Sequence, residues 1–319
     1  MAQRPAGAEV RRAVRGALAC LPACVRGVPL LVACSGGADS LALAAAVRDR
    51  PGVSAAVVDH GLQEGSAERA AATVEVLATL GIPATVHSVE VTGGGGTEAA
   101  ARRARYEALR AALPHPDSAV LLGHTLDDQA ETVLLGLGRG SGPRSLAGMR
   151  TWDAPWLRPM LGVRRSVTLA ACAELGLPVW DDPHNVDPRF TRVRLRHEVL
   201  PLLEDVLSGG VAAALARTAA QLREDVDALD AVALELLERA RDGEALLVDR
   251  MSGTAPALRR RILRSWLGVT GLTDTHLRAA DALAAHGPDR GGVALPGGLE
   301  LVRSHGRLTV RPLHWPRGC

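Results

Sequence analysis

The segment Ser35-Gly36-Gly37-Ala38-Asp39-Ser40 follows the apolar run Pro29–Cys34 and leads into the Ala-rich stretch Leu41–Val47. A glycine turn between strand and helix lets Gly36 and Gly37 direct consecutive N–H groups toward one point. The helix N-terminus adds its own unpaired N–H groups and partial positive charge, so the segment can cradle a polyphosphate. Ser35 and Ser40 contribute hydroxyls. Asp39 fits an anion cradle if it holds Mg²⁺ between phosphate oxygens; otherwise it is a first-turn acid facing the helix dipole. A second group of chemical interest is Gly123-His124-Thr125-Leu126-Asp127-Asp128-Gln129-Ala130-Glu131-Thr132. Thr125 and Asp128 have the spacing of a capping box. His124 with Asp128, Asp127 with Glu131, and Asp128 with Glu131 share a helix face. Acids on that face could hold an ammonium group or a metal, or serve as capping and dipole acids, the better reading for Asp127 alone.

Asp59-His60-Gly61 closes another β-branched run, Ser54–Val58. Arg102 and Arg105 would project from one helix, toward a ligand or into surface ion pairs. Arg192, Arg194 and Arg196 alternate ahead of an apolar stretch. All 37 basic residues are Arg. The absence of Lys excludes Schiff-base and pyridoxal-phosphate lysines and a Walker-type P-loop. The five cysteines, Cys20, Cys24, Cys34, Cys172 and Cys319, include no C-x-x-C pair, which argues against a disulfide framework, zinc or an iron–sulfur cluster. No apolar run approaches the roughly 20 residues of a membrane span, and the Arg-bearing N-terminus has no signal-type apolar segment. A cytoplasmic location, without membrane contact, is the expectation.

The elements that must position these residues alternate along the first half. Strands are expected at Pro29–Cys34, Ser54–Val58, Thr85–Val91 and Ala119–Leu122, and helices at Leu41–Val47, Ser66–Leu80, Thr97–Leu113 and Leu126–Leu137. Four strand–helix units predict an α/β fold, a doubly wound parallel sheet with ligands at the carboxyl ends of its strands. Arg139–Trp156 reads as a long loop, followed by a helix over Arg164–Leu175, the acidic, proline-punctuated Asp181–Pro188 and then the segment Thr191–Leu203. Val211–Arg241 has the period of one long connector helix. Beyond it lie helices at Ala257–Leu267 and Thr275–Ala285, and a hairpin turning at Gly297-Gly298 between Val293–Leu295 and Leu299–Val302. The expected division is a catalytic domain over 1–210 and a smaller helical or α+β domain over 211–319.

The loop Ser35–Ser40 resembles the pyrophosphate-binding loop of the PP-loop ATPases, which cleave ATP to AMP and pyrophosphate. With Gly123–Thr132 and Gly138-Arg139-Gly140-Ser141-Gly142, the chain resembles the tRNA(Ile)-lysidine synthetase family. Further matches are Asp59-His60-Gly61-Leu62, Glu98–Tyr106, Leu157–Leu161, Asp181-Asp182-Pro183-His184-Asn185, Arg192–His197, Arg259-Arg260-Arg261 before Trp266-Leu267, and Leu295–Gly298. Val193 stands where the family pattern has Asn. The resemblance implies an ATP-dependent ligase joining free L-lysine to the wobble cytidine of a CAU-anticodon isoleucine tRNA through an adenylated cytidine, which changes codon reading from AUG to AUA. It implies Asp39, Asp128, Glu131 and Arg196 as catalytic. ATP or pyrophosphate would bind Ser35, Gly36, Gly37, Ala38, Asp39, Ser40, Asp59 and His60. Lysine or tRNA would bind His124, Asp128, Glu131, Arg102, Arg105, Arg139 and Arg194, with Mg²⁺ on Asp39. Another PP-loop enzyme such as a tRNA thiolase, or a non-catalytic RNA-binding protein, are the alternatives. The oligomeric state is open, a homodimer among the options.

Charge is uneven: residues 1–138, 139–196, 197–249 and 250–319 carry −2, +5, −8 and +7. Two basic blocks suit a polyanion gripped at two places. On this reading Arg259, Arg260 and Arg261 hold tRNA phosphates, unless they pair with the acidic 224–230 face.

Overall fold

A computed structural model describes residues 5–61, 65–92, 96–140, 142–180, 187–286 and 290–313. Leu62, Ser141 and Asp181–Asn185 lie outside the described residues, as does the side chain of Glu98. The chain divides into two compact units, Met1–Leu222 and Arg223–Cys319.

In the first unit, α1 (Ala6–Ala19) precedes four successive strand–helix pairs. These are β1 (Leu30–Ala33) with α2 (Ala38–Val47), β2 (Val53–Asp59) with α3 (Ser66–Thr79), β3 (Ala84–Ser88) with α4 (Thr97–Ala111), and β4 (Val120–Leu121) with α5 (Leu126–Gly138). Every residue of β1 is buried. Leu30 and Val32 enter one core, while Leu31 and Ala33 enter a second core that also contains Leu109 of α4. Burial of both faces is why β1 reads as an unbroken apolar run. The short elements α6 (Pro143–Leu146), β5 (Trp152–Asp153) and β6 (Trp156–Leu157) follow. The sheet order is β3-β2-β1-β4-β6-β5, with only β5 antiparallel. Strand order reverses between β1 and β4, so the ligand crevice of a doubly wound sheet belongs beyond their carboxyl ends. The two chemically suggestive loops emerge there. A Cβ on Gly123 would lie 3.0 Å from the backbone of Asp39 and Ser40, so that close approach requires glycine.

The expected long loop over Arg139–Trp156 is corrected by α6 and the β5–β6 edge. Two-residue strands are too short to show a period. Helix α7 (Arg165–Glu174) stands where expected. Thr191–Leu203 is α8 (Thr191–Arg194), a π turn over Leu195–Val199, and α9 (Leu200–Val206). Pro201 has no N–H for the carbonyl of His197, which interrupts the ordinary ladder there.

The division between the units falls inside α10 (Val211–Ala240), beyond the expected junction at 210/211. The second unit contains β7 (Arg241–Asp242), β8 (Ala245–Leu247), α11 (Pro256–Leu267), α12 (Asp274–His286), β9 (Arg290–Leu295), β10 (Leu299–Ser304) and β11 (Arg307–Pro312). Its strands form an antiparallel sheet of order β7-β8-β11-β10-β9. Gly297 and Gly298, at φ +77° and +70°, turn the β9–β10 hairpin.

The arginine triplet on α11 is turned inward, contrary to the tRNA-grip expectation. Arg259 Nε donates to Asp281 Oδ1 at 2.7 Å, Arg260 lies 3.7 Å from the same carboxylate, and Arg261 Nε donates to Asp230 Oδ1 at 3.0 Å. Arg259 and Asp281 are only 14% and 11% exposed. Removing the Arg259 charge leaves the buried Asp281 carboxylate with Arg260 alone, 3.7 Å away. Arg259→Gln is therefore expected to lower the unfolding free energy by about 3 kcal/mol. Chemical denaturation checks this. The salt dependence of tRNA binding should stay unchanged, whereas each lost phosphate contact would reduce its slope by about 0.7–0.9.

Candidate active site

Gly36, at φ +80°, makes the turn after β1, and a Cβ there would lie 2.6 Å from Thr73 Oγ1. Gly37 is in ordinary extended conformation at the start of α2, so only the first glycine needs the left-handed region. Ser40 Oγ accepts from the Ser35 N–H at 3.2 Å and donates to Gly37 O at 2.9 Å, tying the loop to itself. The Ser35 side of the loop is exposed. The N-terminus of α2 has no side-chain cap, whereas Thr125 and Asp128 form the expected capping box on α5. The first N–H groups of α2, including that of Ala38, are thus suited to an anion, while α5 is capped by its own residues.

Asp39 meets Arg165, whose terminal nitrogen lies 3.1 Å from Asp39 Oδ2, and Thr168, whose hydroxyl donates to Oδ1. Asp39 thus has a guanidinium partner within the protein, beside any metal it would hold. Burial pushes the Asp39 pKa up against the opposing pull of Arg165. The same Arg165 nitrogen lies 3.0 Å from Asp128 Oδ1. Two carboxylate oxygens from the first turns of α2 and α5 thus converge on one cationic nitrogen. Such hard donors fit a divalent ion that brings its own phosphates and waters. Among the described residues no group of three His, Cys, Asp or Glu side chains forms a protein-only metal cage.

Asp128 Oδ2 accepts from the Thr125 N–H and hydroxyl, both at 2.8 Å, and Oδ1 also faces Arg196 at 3.2 Å. Burial pushes the Asp128 pKa up, but Arg165 and the hydrogen bonds from Thr125 hold it below the usual carboxylate range. Glu131 is fully buried. Its Oε1 lies 2.7 Å from both Nε and a terminal nitrogen of Arg196; its Oε2 lies 3.6 Å from Arg192 and makes no hydrogen bond. Burial raises the Glu131 pKa. Asp127 Oδ2 accepts from the backbone N–H of Arg165 at 2.8 Å, at the start of α7 rather than of its own helix.

A cavity of about 330 Å³ opens beside the carboxyl ends of β1 and β2, lined by Asp59, His60, Arg69, Arg105 and Trp180 among others. Arg69 stacks over Trp180, 4.9 Å from the ring centroid. Asp59 Oδ1 accepts from the Gly61 N–H at 3.0 Å. Arg105 has no carboxylate partner among the described residues. It joins Asp59 and His60 rather than the acids of α5, and burial draws its pKa down. Burial, with Arg105 nearby, also lowers the His60 pKa.

Three sequence candidates stand apart from the acids. Arg194 is 61% exposed and pairs with Glu198 at 2.9 Å. Arg139 is exposed at the end of α5, and Arg102 is exposed with its terminal nitrogen 3.1 Å from Tyr106 Oη. The residues missed in sequence are Arg165, Thr168 and, as a partner of Glu131, Arg192. The one sequence signal for Arg165 was a cation at the start of a helix, where the dipole disfavours it.

His124, three residues beyond β4, has a buried Nδ1 that makes no hydrogen bond. Burial first, then Arg105 and other arginines, drive its pKa down to about 3 despite Asp128. The folded histidine stays neutral where the unfolded one, near 6.5, takes up a proton. Its contribution to stability is therefore complete above pH 6.5 and falls with pH toward 3, by on the order of 2 kcal/mol at pH 5. Urea unfolding of His124→Gln at pH 7 and pH 5 should lose that part of the pH dependence; an unchanged difference from wild type would contradict it.

A parallel sheet reversing between β1 and β4, with an uncapped glycine turn on one side and an acid-bearing helix on the other, defines a nucleotide-binding protein of the PP-loop class. Residues 18–203 match the PP-loop domain family, and residues 246–309 match the TilS substrate binding domain. The U34-tRNA thiolase NcsA from Methanococcus maripaludis, solved with its [4Fe-4S] cluster, shares the fold at a TM-score of 0.54 and 19% identity, over 68% of this chain and 78% of that one. Sequence relatives are much nearer. The tRNA(Ile)-lysidine synthase of Rhodococcus erythropolis is 58% identical over 88% of this chain and 89% of its own. That of Mycolicibacterium paratuberculosis is 59% identical over 88% and 89%, and that of Nocardia farcinica 55% over 95% and 97%. The chain belongs to the tRNA(Ile)-lysidine synthase family.

Proposed function

We propose that this chain uses ATP to join L-lysine to the wobble cytidine of a CAU-anticodon isoleucine tRNA, in two displacements. Cytidine O2 attacks the α-phosphorus, and pyrophosphate leaves toward Ser35–Ser40, where the uncapped start of α2 receives its charge. The lysine side-chain amine, as free base, then attacks C2. The C2–O2 bond breaks, AMP departs, and the nitrogen gives up a proton. Asp128 and Glu131 attract the incoming ammonium. Glu131, buried with a raised pKa and an oxygen free of hydrogen bonds, is suited to take up the proton. Asp39 would hold Mg²⁺, which neutralises phosphate charge when bound. Arg105, Asp59 and His60 would face the nucleoside side of ATP.

The observation that carries this reading is the meeting of Asp39 and Asp128 at Arg165, which joins phosphate loop and acid helix in one site. Thiol chemistry has no comparable support. Cys34 and Cys172 are buried, and burial raises both pKa values, that of Cys172 to about 11, which disfavours the reactive thiolate. The cytoplasm, with its tRNA and ATP, is the setting this reading requires; among the described residues no single helix is long and apolar enough to cross a membrane. The test is product analysis with ATP, L-lysine and an isoleucine tRNA transcript. AMP and pyrophosphate should form only when tRNA is present; ADP and phosphate, or indifference to tRNA, would overturn the assignment.

A further inference from the structure

The Arg165 side chain occupies an unusual position. One terminal nitrogen carries two hydrogens and faces two acids from different helices, Asp39 Oδ2 at 3.1 Å and Asp128 Oδ1 at 3.0 Å. Its Nε is buried and makes no hydrogen bond. The backbone is anchored independently of the side chain: the N–H donates to Asp127 Oδ2 at 2.8 Å. As the first residue of α7, Arg165 opposes the helix dipole. Helix stability therefore gives no reason for a cation here, whereas the two acids do. Among the described residues Asp128 has one other guanidinium partner, Arg196, which it shares with Glu131.

We propose that Arg165 is a positioning residue that couples the two substrate sites: it screens Asp128 from an ammonium ion until nucleotide phosphates draw its guanidinium away. The inference rests on the reading of Ser35–Ser40 as a phosphate cradle and of Asp128 and Glu131 as a lysine pocket. A guanidinium pairs with phosphate as readily as with carboxylate. An anionic polyphosphate beside Asp39 competes directly for the terminal nitrogen. Once that nitrogen turns to phosphate, Asp128 keeps only its share of Arg196 and regains negative charge toward the lysine side chain. ATP then strengthens lysine binding, and by linkage lysine strengthens ATP binding by the same factor.

The experiment is isothermal titration of the full chain with lysine, with and without a non-hydrolysable ATP analogue, for wild type, Arg165→Gln and Arg165→Lys. In wild type the analogue should tighten lysine binding about five- to tenfold. In Arg165→Gln lysine should bind well without nucleotide, and the analogue should change its affinity by less than about twofold. Arg165→Lys keeps the charge without the planar fork and should retain a reduced dependence, so it carries the test if the Gln variant fails to fold. Wild-type dependence in either variant, or a wild-type protein indifferent to the analogue, overturns the proposal. A lysine titration without binding in wild type under both conditions removes the lysine-pocket reading itself, and the coupling with it. Loss of a merely structural contact would lower the melting temperature and leave the nucleotide dependence intact.

Discussion

Replacing Glu131 by Gln raises the KM for lysine roughly ten- to a hundredfold and moves the KM for ATP by less than about threefold. The substitution keeps the shape of a fully buried side chain and removes its charge. A charge-assisted contact contributes about 1.5–3 kcal/mol, which sets the size of the effect. The ATP side is insulated because Asp39, Arg165 and the α2 N-terminus are unchanged. Glu131 is a cleaner probe than Asp128. Asp128→Asn alters the capping box of α5 as well as the pairs with Arg165 and Arg196, so its kinetic effect is mixed with destabilisation. Steady-state kinetics with each substrate varied in turn checks the prediction. Parallel changes in both constants, or none in either, would contradict the pocket assignment.

Asp39→Ala is expected to slow pyrophosphate release about a hundred- to a thousandfold, the effect of deleting one group that stabilises charge at a reacting phosphate. Stability should scarcely suffer. Burial raises the Asp39 pKa, so the folded protein holds this carboxylate against a desolvation cost. Arg165 keeps Asp128 as a partner after the change. A residue retained at a cost to the fold is a functional candidate on physical grounds. Pyrophosphate release and thermal melting, measured on the same preparation, separate the outcomes. Undiminished release from the folded variant would remove Asp39 from the phosphate chemistry.

The parts of this arrangement legible in the sequence are those fixed by local periodicity. β1 is covered on both faces and so reads as a continuous apolar run, and the cap on α5 follows from Thr125 and Asp128 three residues apart. β5 and β6 escape because two residues carry no period. The spacing of the arginines after Thr191 does not by itself say which of them face the acids. On a helical path Arg192 and Arg196 fall on one side and reach Glu131, while Arg194 points away to Glu198. Arg165 was invisible for a different reason. Its partners Asp39 and Asp128 lie far away in sequence, and only the reversal of strand order brings their helices together. The triplet at Arg259–Arg261 shows the limit of counting charge, since Asp281 and Asp230 come from other helices and absorb what looked like a surface grip.

On the proposed function, the phosphate loop and the acid helix form one site that activates tRNA and then attaches lysine. The most direct measurement is incubation of the purified protein with ATP, radiolabelled lysine and total tRNA, followed by separation of the tRNA and nuclease digestion to nucleosides. The account predicts ATP-dependent label in isoleucine tRNA, recovered in a single modified cytidine that resists mild alkaline deacylation. Label absent from tRNA, or released by deacylation as an ordinary aminoacyl ester, would contradict it.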